Sequence, residues 1–288
     1  MRKKRKRGSS SAGEDDGGEG PLPLCEGELM HSTRAESVSR RKWLALAPRV
    51  QEREPSLSYC SCDGSSTGWH ACVFVPGGFG GTAEKEDDDE GGEEEEPLVH
   101  LRARWGDMKG TRNVGAEASA FLLGVQTVAR HYDAFPSGRK HDSPGSEKKG
   151  AAGRGSGGEV QVKTGDASGR VVFLADFLNA LAWDVGAAKY KHDVLVATYA
   201  EVERVKARLR DHVSGGAGGL RWSHVHHPGH QTDDSWYTHL NLAADNLASL
   251  GMEVDCRVPL SVLLGELTAR GADAADRCKA AIEKGLAP

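Results

Sequence analysis

Asp63, Glu117, Asp176 and Asp245 stand where acids are not obviously wanted, and four carboxylates drawn together favour one kind of chemistry. Asp63 closes the apolar run LSYCSCD, and Asp176 closes another, RVVFLA. Glu117 falls three residues after Val114 and four before Phe121 on a helical pattern, so it projects from the packed face. Asp245 lies beside the stripe Leu240, Ala243, Ala244 and Leu247. Clustered carboxylates repel one another and are tolerated when a multivalent cation neutralises them. An oxygen-only donor set around open positions suits Mg²⁺ or Mn²⁺. A pair of such ions roughly 3.5–4 Å apart stabilises both the attacking and the leaving oxygen of a phosphodiester. Taken singly, each acid also has a plain structural explanation. Asp63-Gly64 is a hairpin-turn dipeptide, Asp176 an N-cap, and Glu117 and Asp245 solvated helix residues.

The elements that would bring the four together follow from the hydrophobic pattern. LSYCSCD (57–63) and WHACVFV (69–75) read as two strands of a hairpin across the Gly64–Gly68 turn signal, and LVHLRARW (98–105) as a third strand. Val114, Ala118, Phe121, Val125, Val128 and Tyr132 then mark one face of a helix. RVVFLA (170–175) reads as a buried strand leading into a helix from about Phe177. A charged amphipathic helix over roughly 197–212, a strand LRWSHV (220–225) and a helix of about 238–250 follow. Three consecutive strands suggest an antiparallel meander, and the later strand–helix–strand crossover implies parallel pairing. The expected fold is therefore α/β, a five-stranded mixed sheet with helices on both faces. If the first and fourth strands are parallel neighbours at its centre, their carboxyl ends set Asp63 beside Asp176, in the crevice where such sheets bind ligands.

Composition limits how much of the 288 residues this domain takes up. Glycine occurs 37 times and only 38% of residues are hydrophobic, so several stretches cannot bury enough surface to offset ordering. Residues 1–54 read as a disordered tail, with disordered insertions at about 76–97 and 134–169 inside a domain at 55–250, and 251–288 as a C-terminal extension holding two short helices. The formal net charge of −5 is unusual for a nucleic-acid binder, yet residues 84–96 hold ten acids and one lysine. Without them 36 basic residues face 32 acidic ones. The opening MRKKRKR fits a nuclear localisation signal, a nonspecific nucleic-acid contact or a solvated end. With no apolar stretch of 18 residues or signal-peptide core, no membrane association is expected, and the chain reads as intracellular.

The six cysteines include no CxxC pair. Cys60 and Cys62 share one face of a strand, as packed reduced thiols would. His224, His226, His227, His230 and His239 lack the helical HxxxH or HExxH spacing of a zinc site, which leaves loop histidines near phosphates as the simpler account.

Four segments, in order and on the expected elements, resemble the type 1 ribonuclease H family between about Leu57 and Ala248. They are CDGSS (62–66), NVGAEASAFLLGV (113–125), VVFLADFLNAL (171–181), and WSHVHHPGHQ (222–231) with NLAADNLA (241–248). The resemblance implies a ribonuclease H-like fold and an endonuclease that hydrolyses the RNA strand of RNA/DNA hybrids with two Mg²⁺ or Mn²⁺ ions. Asp63, Glu117, Asp176 and Asp245 would be the metal ligands, and Gly64, Ser65 and Asn113 substrate contacts. Asn113 would sit at the minor groove, where 2′-hydroxyls mark the RNA strand. His230, or His227 in its place, would assist proton transfer or product release. The sequence departs from the family at Leu242, where glutamate is frequent, and in a short turn after Asp63. A catalytically inactive nucleic-acid-binding or interaction domain of the same fold, or a retroelement-derived nuclease remnant, is the alternative reading.

Overall fold

The computed structural model describes residues 29–31, 45–46, 52–77, 96–107, 111, 113–132, 169–186, 189–213 and 220–285. The N-terminal basic cluster, most of the acidic run and nearly all of the 134–169 insertion lie outside them.

Strands β1 (Leu29–His31), β2 (Ala45–Leu46), β3 (Ser58–Gly64), β4 (Trp69–Val75), β5 (Leu98–Trp105), β6 (Arg170–Ala175), β7 (Arg221–His226) and β8 (Val254–Pro259) form one sheet, ordered β2-β1-β7-β6-β3-β4-β5-β8. β3, β4, β5 and β8 pair antiparallel, whereas β3–β6, β6–β7, β7–β1 and β1–β2 are parallel. The helices are α1 (Asn113–His131), α2 (Leu178–Asp184), α3 (Asp193–Val213), α4 (Trp236–Ser249), the short α5 (Leu260–Val262), which runs on into a π-helical turn (Leu263–Leu267), and α6 (Ala274–Gly285).

The mixed sheet is as expected, but it has more than five strands. Six are substantial, and the two short strands β1 and β2 extend one edge. The sixth, β8, comes from the C-terminal span in which the sequence suggested only helices. Val254 and Val258 turn inward on it, whereas Asp255 and Arg257 face outward. One apolar face six residues long is too brief a pattern to stand out.

β3 occupies the centre because SYCSCD is buried throughout and has a partner on each side, β4 antiparallel and β6 parallel. One core lies under α4 and α6, built from Tyr59, Val73, Leu101, Leu174, Leu240 and Leu247. The other lies under α1, α2 and α3, built from Cys60, Cys62, Phe121, Val125, Phe173 and Val202. On that side Cys60, Cys62 and Cys72 are all buried and free, and Cys62 pairs across the strands with Cys72. Gly124 lets α1 settle on them: a Cβ there would lie 2.5 Å from the Cys62 sulphur and 2.9 Å from that of Cys60.

A buried ionic network ties α2 and α3 to β7. Asp184 Oδ2 accepts from Lys206 Nζ and His224 Nε2, each at 2.6 Å. Burial alone would push Asp184 up, but His224 and Lys206 outweigh it and hold the carboxyl below its ordinary value. Removing one partner of such a buried pair costs about 3–5 kcal/mol, because the other charge is left uncompensated. Asp184→Asn is therefore expected to lower the thermal midpoint by roughly 10 °C. A calorimetric shift of only a degree or two would mean that the network contributes little.

Candidate active site

The carboxyl ends of β3 and β6 are adjacent, since Cys62 pairs with Ala175, and the residue that follows each of these two is an acid. Asp63 and Asp176 thus project into one crevice. Glu117 enters from the first turns of α1 and Asp245 from α4 on the other side of the sheet. Carboxylate oxygens of Asp63, Glu117 and Asp176 all lie within 4.8 Å of one another. Asp245 stands beside this group, close enough for its charge to act on Asp63 and Asp176.

The plain explanations for Asp63, Asp176 and Glu117 do not hold. The β3–β4 turn is made by Ser65 to Gly68, with Ser65 N–H donating to Trp69 O at 2.7 Å, so Asp63 and Gly64 belong to the strand and not to the turn. The N-cap of α2 is Phe177, which leaves Asp176 outside the capping position. Glu117 is only 8% exposed and Asp63 only 7%, so neither is a solvated surface acid.

Burial and mutual repulsion act on these groups in one direction. Burial, followed by the charges of Asp176 and Asp245, pushes Asp63 up to about 8. Burial, with Asp63 and Asp176, pushes Glu117 up to about 10. Asp176 is raised by burial and by Asp245, with His230 pulling the other way. The Gly64 N–H opposes the trend, donating to Asp63 Oδ1 at 2.8 Å and also favouring ionised Glu117. Such a site gains stability from a cation that lets all its acids ionise together.

Gly64 is a packing requirement as well as a donor. A Cβ there would lie 2.4 Å from the Ala116 carbonyl carbon and the Glu117 nitrogen. Gly64→Ala is expected to push the start of α1 off β3. The loss would be roughly 1–3 kcal/mol in denaturant unfolding, with the Glu117 carboxylate displaced. An unchanged unfolding midpoint would show that α1 can retreat freely.

The remaining residues singled out by the sequence fall around this centre. Asn113 is exposed at the first position of α1, one turn before Glu117 and on the same helix face. Ser65 opens the turn after Gly64, its hydroxyl 2.8 Å from that of Thr67. His230 is exposed and has a left-handed backbone with φ of 58°, a conformation uncommon outside glycine. Its neighbour Gly229 lies so close to Asp176 that a Cβ would meet Oδ2 at 2.6 Å. His227 is instead buried, with Nε2 3.1 Å from Thr238 Oγ1 against the start of α4. Of the two, His230 is the one beside the carboxylates.

His226 stands out in the sequence only as one of a cluster of histidines. Its Nε2 donates to the Asp176 carbonyl at 2.7 Å, fixing the backbone that carries that acid. The alternation of His224 and His226 on a strand is the available signal, but it does not reveal a partner fifty residues away.

No known family model matches the chain, and no curated protein matches it in sequence. Among solved structures, it is similar to the N-terminal RNase H domain of a Mycobacterium tuberculosis protein, solved as a fusion with maltose-binding protein. The TM-score is 0.33 and the identity 14%, over 68% of this chain and 98% of that one. It is also similar to an RNase H1 isolated from compost by a metagenomic approach, with a TM-score of 0.32 and 14% identity over 67% of this chain and 92% of that one. At such TM-scores the likeness decides nothing. Strand pairing and the carboxylates must carry any reading of function.

Proposed function

We propose that this chain is a metal-dependent endonuclease of the ribonuclease H type, hydrolysing the RNA strand of RNA/DNA hybrids. The observation that carries the proposal is the convergence of Asp63, Glu117 and Asp176, with Asp245 alongside, at the carboxyl ends of two parallel neighbouring strands. The donor set is all carboxylate oxygen, and burial and crowding raise the pKa values of Asp63, Glu117 and Asp176, which fits hard divalent ions such as Mg²⁺ or Mn²⁺. Asp63, Glu117, Asp176 and Asp245 would hold them. Bound there, such ions supply Lewis acidity toward a phosphodiester and neutralise the charge that develops in its hydrolysis.

The protein's own groups account for the rest. Asn113, exposed one turn ahead of Glu117, offers its amide to a 2′-hydroxyl, the group that marks the RNA strand. Gly64 and Ser65 line the near side of the site and receive the backbone of that strand. His230, exposed next to Asp176, takes up or returns a proton at its imidazole as product leaves.

The test is incubation of an end-labelled RNA/DNA hybrid with the full chain and Mg²⁺, beside RNA/RNA and DNA/DNA duplexes. Cleavage confined to the RNA strand of the hybrid is the expected result. A folded protein that cuts no duplex, in Mg²⁺ or Mn²⁺, would overturn the proposal and leave a binding or interaction domain.

A further inference from the structure

On the α1 side of the sheet, α1 packs over β3 and β4 and barely reaches β5. The outward residues of β5 and β8 therefore form an open shelf beside it. Arginines gather there: Arg102 and Arg104 on β5, Arg257 on β8 and Arg130 near the end of α1, together with His100 and His131. Among the described residues one carboxylate, Asp255, answers three of these arginines. It lies 3.4 Å from Arg102 Nε, 3.2 Å from Arg130 Nη1 and 3.9 Å from Arg104 Nη2.

Two features make this more than a solvated charged face. Arg102 is only 2% exposed, and although its Nη1 donates to Thr127 Oγ1 at 3.0 Å, its Nη2 has no hydrogen-bond partner among the described residues. Its buried charge adds to that of the neighbouring arginines, and like charges this close repel, which an anion held by the exposed Arg104 and Arg257 would relieve. The local field is positive enough that His100, already disfavoured by burial, is pushed down further by Arg257 and His131, to about 3.

The shelf also continues from the carboxylates. Gly64 pairs with His70, and His70 with Arg104, so Arg104 lies two strands across from the residue that follows Asp63. At the usual strand spacing that is roughly 10 Å. From there Arg102 and His100 step down β5 on the same face, flanked by Arg257 and Arg130.

We infer that this arginine shelf is a second nucleic-acid contact, holding phosphates of the hybrid where it runs on past the carboxylates. The inference rests on the proposed hybrid nuclease. Arg104 and Arg257 are exposed and outside both cores, so they can be replaced without breaking the fold.

The experiment uses full-length Asp63→Asn protein with Mg²⁺, so that hybrid is bound without being cut, and measures its dissociation constant over a salt series. Adding Arg104→Ala and Arg257→Ala is expected to weaken binding at least about tenfold at low salt. The slope of log affinity against log salt should become shallower by about 2, one for each phosphate that an arginine no longer holds. Arg204→Ala, removing an exposed arginine on α3, is the control and should change neither quantity. If the parent binds hybrid and the double variant binds equally well with the same slope, the shelf is not a nucleic-acid contact and an acidic protein partner becomes the better candidate. If neither the parent nor the wild-type chain binds hybrid, both the shelf and the nuclease reading are overturned.

Discussion

Asp63→Asn is expected to lower hybrid cleavage by about a thousandfold or more while leaving hybrid binding in place. Asparagine keeps the shape of the side chain and its hydrogen bond from the Gly64 N–H, but removes the charge that faces Asp176, Glu117 and Asp245. Loss of the cation stabilisation that the charge supports is worth several kcal/mol, and each ~1.4 kcal/mol is a factor of ten in rate. Asp176→Asn should behave in the same way, since both acids belong to the tight group of three. Asp245→Asn should cost less, because that acid stands at the edge of the group. Single-turnover cleavage, with gel-shift binding on the same samples, separates the two effects. A variant that retains more than a tenth of the wild-type rate would remove Asp63 from the chemistry, and one that also loses hybrid binding would assign it to substrate contact.

The second large effect is on stability rather than rate, and its sign follows from the raised carboxyls. Asp63 moves from 3.8 to about 8 and Glu117 from 4.5 to about 10 on folding. A carboxyl whose folded value lies above its unfolded one holds its proton longer in the folded state. Its contribution is fully present below the unfolded value, near pH 4, and is lost as pH rises through the folded value. In EDTA the protein should therefore become progressively less stable from about pH 4 to pH 8 and beyond. Divalent ions act in the opposite direction, because they bind only the folded, ionised cluster. At a concentration a hundred times the dissociation constant, they add about 2.7 kcal/mol. For a domain of this size that corresponds to roughly 5–10 °C in the thermal midpoint at pH 8, and to much less at pH 5. Asp63→Asn should raise the midpoint in EDTA and reduce the gain from Mg²⁺. A midpoint independent of pH between 5 and 8 without metal, or an equal Mg²⁺ shift in the variant, would contradict the picture of a strained carboxylate cluster.

Much of this is legible in the sequence for a physical reason. β3, β4, β5, β6 and β7 are runs of alternating or continuous apolar residues ended by turn signals, and α1 repeats Ala118, Phe121, Val125 and Val128 at helical spacing, so local pattern and final packing agree. The acids can be picked out because two of them close such strands. What the pattern hides depends on contacts distant in sequence. β8 buries only Val254 and Val258, and its place in the sheet depends on β5, whose paired residues lie 151 to 161 positions earlier. α3 begins at Asp193, a turn before the pattern suggests, since its first residues show little apolar periodicity. The Asp184–Lys206–His224 network joins residues 22 and 40 apart, and no periodicity announces it. His230 and His227 look interchangeable in the sequence. They part only because the loop turns at Gly229 against Asp176 and carries His227 back beneath α4.

The three sulphurs behind β3 offer a clock for the acid cluster. Cys60, Cys62 and Cys72 lie sealed between the central strands and α1, with Gly124 pressed against two of them, so the native state has no room for an adduct. An alkylating reagent can reach them only when α1 lifts from β3 and β4, and that motion also carries Glu117 away from Asp63. The rate of their labelling, followed peptide by peptide, therefore reports how often the acid cluster comes apart. Cations that bind the cluster should slow this labelling, even under conditions where no substrate is present and nothing is turned over.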